Sequence, residues 1–140
     1  ALDVTIQAEI LKLLDQLRKE MGLALIFITH DLGVVSKLSD QIAVMYAGQV
    51  VETGETDLIL NQPKHPYTKA LLQCTPVLGS GENIAGGIPG LPPQPGLLPE
   101  GCSFSPRCSE SLELCLKQEP NLVQYPERNC RCFLLESVHA

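Results

Sequence analysis

The residues best suited to chemistry in this 140-residue chain fall into two groups. One is the triplet Thr29-His30-Asp31, where an imidazole stands between a hydroxyl and a carboxylate. An imidazole can donate a hydrogen bond to a phosphate oxygen at neutral pH, and its charge changes near about pH 6.5. The other group is six cysteines, Cys74, Cys102, Cys108, Cys115, Cys130 and Cys132, five of them in the last third of the chain. Cys102, Cys108, Cys115 and Cys132 follow the spacing C-x5-C-x6-C-x16-C, which is not the paired C-x2-C of common zinc sites. No charged leader with an apolar core is found, so no signal peptide is expected. Structural disulfides are then the weaker reading, beside thiol–metal binding or plain buried thiols.

An apolar run must position His30. Residues 23–28 are six apolar side chains bounded by Gly22 and Thr29, which predicts a strand buried on both faces. The carboxyl end of such a strand is where open α/β sheets bind ligands, and His30 stands there. Ahead of it, Ile6, Ile10, Leu13, Leu14 and Leu17 recur at helical spacing. They predict a helix over 5–21 with one buried stripe, capped by Asp3 or Thr5 and stopped by Gly22. A helix feeding a buried strand is an αβ unit of a mostly parallel sheet, so the expected class is α/β. A short helix over 31–38 follows, then a strand over 41–46 that Gly48 turns into a hairpin strand over 49–52.

Short helices are expected over 55–60 and over 67–73, the latter opened by Pro66. His65 and Tyr67 are read as a capped and anchored helix start, and Lys64 and Lys69 as solvated. From 76 to 100, twelve of 25 residues are Gly or Pro, which reads as an extended connector. Residues 101–140 hold one helix near 110–117 and are otherwise loops and cysteines.

The totals exclude some functions. A net charge of −6 and a pI near 4.9 argue against nucleic-acid binding through a basic face. The mean hydropathy is +0.10, yet no apolar run approaches the roughly 18 residues of a spanning helix. The first residue is Ala1, so a piece of a longer protein is expected.

Several motifs together resemble a known family. Ala1-Leu2-Asp3-Val4-Thr5 resembles the D-loop of ABC transporter ATPases, and Ile28-Thr29-His30-Asp31-Leu32 their switch-histidine loop. The run from Ile42 to Gly54 is similar to the strand and hairpin that follow. Pro63-Lys64-His65-Pro66-Tyr67-Thr68, Ile88-Pro89-Gly90-Leu91-Pro92-Pro93 and Gly101-Cys102-Ser103-Phe104-Ser105-Pro106-Arg107-Cys108 narrow the match. They resemble the C-terminal region of the ATPase subunits of bacterial dipeptide, oligopeptide and nickel importers.

The resemblance implies the C-terminal part of a P-loop, RecA-like ATPase domain over 1–75, the connector over 76–100 and a small Cys-rich lobe over 101–140. It implies ATP and Mg2+ as cofactors of the parent. The implied partners are a second ATPase subunit, membrane permeases and a solute-binding protein, with the parent peripheral to the cytoplasmic face of the inner membrane. It gives His30 the γ-phosphate contact, where a strand-end histidine bonded to backbone is the plain alternative. It gives Asp3 a part in signalling across the nucleotide dimer, where a helix N-cap is the alternative. It implies a 4Fe-4S cluster on Cys102, Cys108, Cys115 and Cys132, with Cys130 as the alternative to Cys132. Zinc, a disulfide or no ligand at all remain open for these thiols. Cys74 is read as a packed small residue.

No G-x-x-x-x-G-K-S/T phosphate loop occurs, nor a signature motif or Q-loop glutamine, and the Walker B acids would precede Ala1. Phosphoryl transfer is mostly positioning and electrostatics, so ATP hydrolysis by this chain as it stands is not expected. The competing hypothesis is a stand-alone iron–sulfur or zinc module without a nucleotide role. In the implied fold the strand over 23–28 lies between the Walker A and Walker B strands. Without them it is expected to pair non-natively or to leave apolar edges exposed.

Overall fold

The computed structural model describes residues 4–74, 87–94 and 96–136. Asp3, and residues 76–86 and 95 of the connector, lie outside the described residues. The chain divides into two compact units after Ser39.

In the first unit, α1 (Val4–Met21) runs without a Gly or Pro break. Gly22 ends it with a φ of 63°, and the Leu23 N–H donates back to the Arg18 carbonyl at 3.0 Å. This left-handed turn satisfies a carbonyl that the helix end would otherwise orphan, and glycine makes it without a Cβ penalty. Asp15 accepts from Arg18 at 3.0 Å and from Lys19 at 2.7 Å, one turn further on.

Two expectations are overturned here. The apolar stripe of α1 is not buried: Ile6, Ile10, Leu13 and Leu17 are all exposed. Residues 23–28 form no strand, and Ile26 and Ile28 are each 95 % exposed. The physical reason is shared. A doubly buried strand needs hydrogen-bonding neighbours at both edges, and an amphipathic helix needs a sheet to cover. Within the described residues of this unit neither is supplied to them. Beyond His30 comes the short helix α2 (Leu32–Leu38).

The second unit is α/β with an antiparallel sheet, as the expected hairpin over 41–52 requires; the mostly parallel sheet expected around residues 23–28 is not formed among the described residues. Strands β1 (Gln41–Tyr46) and β2 (Gln49–Glu55) are joined by Ala47 and Gly48 alone, with φ of 48° and 81°. Two consecutive positive φ values make the hairpin turn whose twist matches its strands, whereas a parallel pair would need a crossover of a dozen residues or more. In β1, Ile42, Val44 and Tyr46 are buried and their neighbours exposed, the period-two pattern of a strand with one wet face. The register slips between Val44, opposite Glu52, and Met45, opposite Val50. This bulge leaves Val51 as the extra residue, and Val51 and Glu52 are both buried.

Helix α3 (Thr56–Asn61) buries Ile59, and α4 (Pro66–Gln73) starts with proline in its first turn. A 3-10 turn over Ser105–Arg107 precedes α5 (Glu113–Lys117). The short strands β3 (Val123–Tyr125) and β4 (Arg128–Cys130) lead into α6 (Phe133–Glu136). The sheet order is β1-β2-β4-β3, so the cysteine-bearing segment is hydrogen-bonded to the hairpin through β2 and β4. Tyr46, Tyr67 and Phe104 stack in a triangle with ring centroids 4.7 to 5.3 Å apart, edge-on or tilted as ring quadrupoles prefer. Arg107 holds the described end of the connector by donating to the carbonyls of Ile88 and Pro89 at 3.0 and 2.9 Å.

Candidate functional site

The first candidate is the loop around His30. The Asp31 N–H donates to Thr29 Oγ1 at 3.0 Å. Asp31 Oδ1 in turn accepts from the N–H groups of Gly33 and Val34 at 2.9 and 3.3 Å and caps α2. The triplet is therefore tied on both sides of His30, whose own side chain is exposed. An N-cap of this kind stabilises its helix by about 1 kcal/mol.

The second candidate is built by the cysteines. Cys102, Cys108, Cys115 and Cys132 line one small cavity of about 10 Å³, together with His65 and Ser105. Cys130 is fully buried but is not on its wall; it sits opposite Glu52 in the sheet. Cys74 lies at the end of α4, away from the cavity. The backbone brings the four together by close approaches. The Cys102 N–H donates to the Cys115 carbonyl at 2.8 Å, beside a buried Gly101 whose Cβ would collide with that same carbonyl. The Cys102 carbonyl then accepts from Ser105, and the Ser105 carbonyl from Cys108, which carries the chain round the 3-10 turn.

Backbone N–H groups point at three of the sulfurs: those of Phe104 and Ser105 at Cys102, of Glu110 at Cys108, and of Leu134 at Cys132. Donors aimed at sulfur favour the thiolate. Burial opposes them and prevails, pushing the Cys102 and Cys108 thiols up and the Cys132 thiol up to about 11. Burial together with the Glu52 carboxylate pushes Cys130 up further still. Burial thus favours the neutral thiol at Cys102, Cys108, Cys130 and Cys132, a preference that a bound cation would invert. Ser105 Oγ is buried at this wall and has no hydrogen-bond partner. Among the described residues, no three ligand groups are drawn to metal-binding distance as they stand. Four thiols and a hydroxyl around one cavity are the donor types that a thiolate-bound metal centre uses.

A buried polar shell supports this wall, and no motif announces it. Glu52 is 0 % exposed. Its oxygens accept from the N–H of Lys64 at 2.9 Å, the N–H of His65 at 3.0 Å and Arg128 Nη1 at 3.0 Å. Arg128 also donates to the Gln62 carbonyl at 2.6 Å. His65 Nδ1 accepts from the Tyr67 N–H at 3.0 Å, capping α4. Burial lowers its pKa to about 4, against the Glu52 carboxylate, which raises it. With Nδ1 accepting, the neutral ring carries its proton on Nε2. Sequence reading took His65 as a helix cap, which it is.

Comparison with known proteins gives these features a context. Residues 51–115 match the family described as "Oligopeptide/dipeptide transporter, C-terminal region". The whole chain is 44 % identical to the oligopeptide transport ATP-binding protein AppD of Bacillus subtilis (strain 168), covering 43 % of that protein. It is 46 % identical over 94 % of its length to a putative peptide import ATP-binding protein of Brucella abortus (strain 2308), covering 40 % of it. It is also 42 % identical over its full length to one from Brucella ovis, covering 44 % of it. The chain is thus similar to ATP-binding proteins of peptide import. More narrowly, residues 51–115 match the C-terminal region of the oligopeptide/dipeptide transporter family. The chain spans about two fifths of the length of the curated relatives it matches.

Proposed function

We propose that this chain is the C-terminal part of an ATP-binding subunit that couples ATP binding and hydrolysis to peptide import. The observation that carries the reading is the tied Thr29-His30-Asp31 loop in a chain 44 % identical, over its whole length, to an oligopeptide transport ATP-binding protein. His30 donates a hydrogen bond to the γ-phosphate and steadies the attacking water. Asp3 acts at the interface with the second ATPase subunit. The phosphate cradle and the Mg2+ ligands come from parts of the subunit that this sequence does not contain. Residues 1–75 belong to the RecA-like ATPase domain, 76–100 connect, and 101–140 form the Cys-rich lobe. The subunit binds permeases at the cytoplasmic face of the inner membrane, served by a solute-binding protein. Among the described residues no helix is long and apolar enough to cross a membrane.

In a full-length subunit carrying this chain, His30→Ala is expected to lower kcat for ATP hydrolysis by roughly 10²–10³, as loss of an electrostatic contact to the transition state does. ATP binding should persist. An unchanged kcat would remove His30 from the site.

The thiol cavity is proposed to hold a 4Fe-4S cluster through Cys102, Cys108, Cys115 and Cys132. Such a group would supply a redox-active or purely structural centre. The chain's own residues supply four sulfurs, N–H donors to three of them and a hydroxyl at Ser105. The cavity of about 10 Å³ favours a second reading, a single zinc ion on the same four thiolates. Anaerobic reconstitution separates them: iron and acid-labile sulfide in about fourfold ratio to protein support the cluster, and one zinc with no sulfide supports the ion.

A further inference from the structure

Resting for its ligand class on the peptide-import reading above, we propose that the groove beside Arg107 binds a short apolar peptide through its free carboxyl terminus. The groove has a volume of about 440 Å³ and lies within the second unit. Sites for small ligands commonly span roughly 300–1,000 Å³. Leu91, Leu97 and Leu98 of the connector line it together with Tyr46 and Arg107, and no acidic residue does. In a chain of net charge −6, this is an apolar site with a cation and no anion of its own.

Arg107 is half-buried, yet its hydrogen bonds all go to neutral oxygens. Nε donates to the Pro89 carbonyl at 2.9 Å, Nη2 to the Ile88 carbonyl at 3.0 Å and Nη1 to the Tyr46 hydroxyl at 3.3 Å. Among the described residues no carboxylate pairs with it. A guanidinium carries five N–H donors, so one remains on each Nη nitrogen, and such a pair can hold a carboxylate in bidentate fashion. Tyr46 is buried and accepts from Arg107, and its own hydroxyl proton has no acceptor among the described residues. The guanidinium is also fixed before any ligand arrives. Gly90, at a φ of 76°, lets the connector pass so close that a Cβ there would lie 3.3 Å from Arg107 Cγ. Such preorganisation reduces the entropy lost on binding.

The connector suits a peptide better than a hydrocarbon chain. Over residues 91–99, the one backbone–backbone hydrogen bond among the described residues runs from the Leu97 N–H to the Gln94 carbonyl. The N–H groups of Leu91 and Leu98 are therefore open to the main chain of a ligand, the pairing by which extended peptides are held.

The test is isothermal titration calorimetry of the full chain with alanyl-leucyl-leucine, with its C-terminal amide and with decanoate. The tripeptide should bind saturably and its amide about 10-fold or more weakly, because the amide lacks the charge that Arg107 pairs with. Decanoate should bind more weakly than the tripeptide. Leu97 is 70 % exposed and outside the core, so Leu97→Glu should leave urea unfolding unchanged. Its carboxylate competes for Arg107 and should weaken the tripeptide by about the same factor. Equal affinity for acid and amide overturns the proposal, as does unchanged affinity in Leu97→Glu. Tighter binding of decanoate overturns the peptide as occupant, and no saturable binding at millimolar tripeptide overturns the site. The peptide-import reading fails separately, through the kcat of His30→Ala in the full-length subunit.

Discussion

At the scale of single residues, the most consequential side chain is one with no expected chemistry. Glu52 is a carboxylate without solvent contact, held by one guanidinium and two backbone N–H groups. A charge in that position is tolerable only because its acceptor sites are filled. Arg128 is nearly as buried, at 8 % side-chain exposure, so neither partner can turn to water when the other is removed. Glu52→Ala should therefore destabilise the unit by about 3–5 kcal/mol, because it strands a buried guanidinium and two amide donors. Glu52→Gln keeps an acceptor oxygen and should cost less. Urea unfolding followed by far-UV circular dichroism gives both values. A cost below about 1 kcal/mol for Glu52→Ala would mean that other groups satisfy Arg128, and that the pair does not organise the loop.

At the scale of elements, the thiol cavity depends on how closely the segment before Cys102 approaches α5. Gly101 is buried against the Cys115 and Leu116 backbone, and a Cβ at that position has no room. The obstacle is rigid main chain rather than a side chain that can rotate away. Gly101→Ala should cost at least about 1–3 kcal/mol, as overpacking does, and should separate Cys102 from Cys115. Its Co2+ affinity should fall even under conditions where circular dichroism shows the fold retained. Unchanged affinity would show that these two cysteines do not share a ligand. This approach also marks the limit of what the sequence disclosed. The spacing of the four cysteines was visible, and so was the β1–β2 hairpin, through the alternation of Ile42, Val44 and Tyr46 ahead of Gly48. Pro66 announced α4. The pair β3 and β4 was not legible, because three residues are too few for a period to register, and Arg128-Asn129-Cys130 carries no apolar alternation at all. Their pairing is fixed by β2, some seventy residues away. For the same reason His65 could be read as a cap but not as part of the wall of the cysteine cavity.

At the scale of the whole molecule, two kinds of apolar sequence behave differently. Residues of the second unit find one another: Val44, Tyr46, Val51, Ile59 and Phe104 are buried together with the polar shell of Glu52 and His65. Residues 23–28 read as more hydrophobic than most of these, yet Ile26 and Ile28 are 95 % exposed. Periodicity reports what a segment would do with neighbours, and a doubly buried strand is the element most dependent on having them. Of the two expected outcomes, non-native pairing or exposure, the structure takes exposure. Side chains this exposed contribute little to the folded state, so replacing them should be neutral for stability. They also present an unpaired apolar segment that templates association between chains. The double variant Ile26→Lys, Ile28→Lys is accordingly expected to shift urea unfolding by no more than about 0.5 kcal/mol. Sedimentation velocity should show it less self-associated than the parent chain. If stability instead fell by 2 kcal/mol or more, on the order of burying a whole isoleucine, these side chains would have to be packed in solution. The strand reading of 23–28 would then hold within this chain as well.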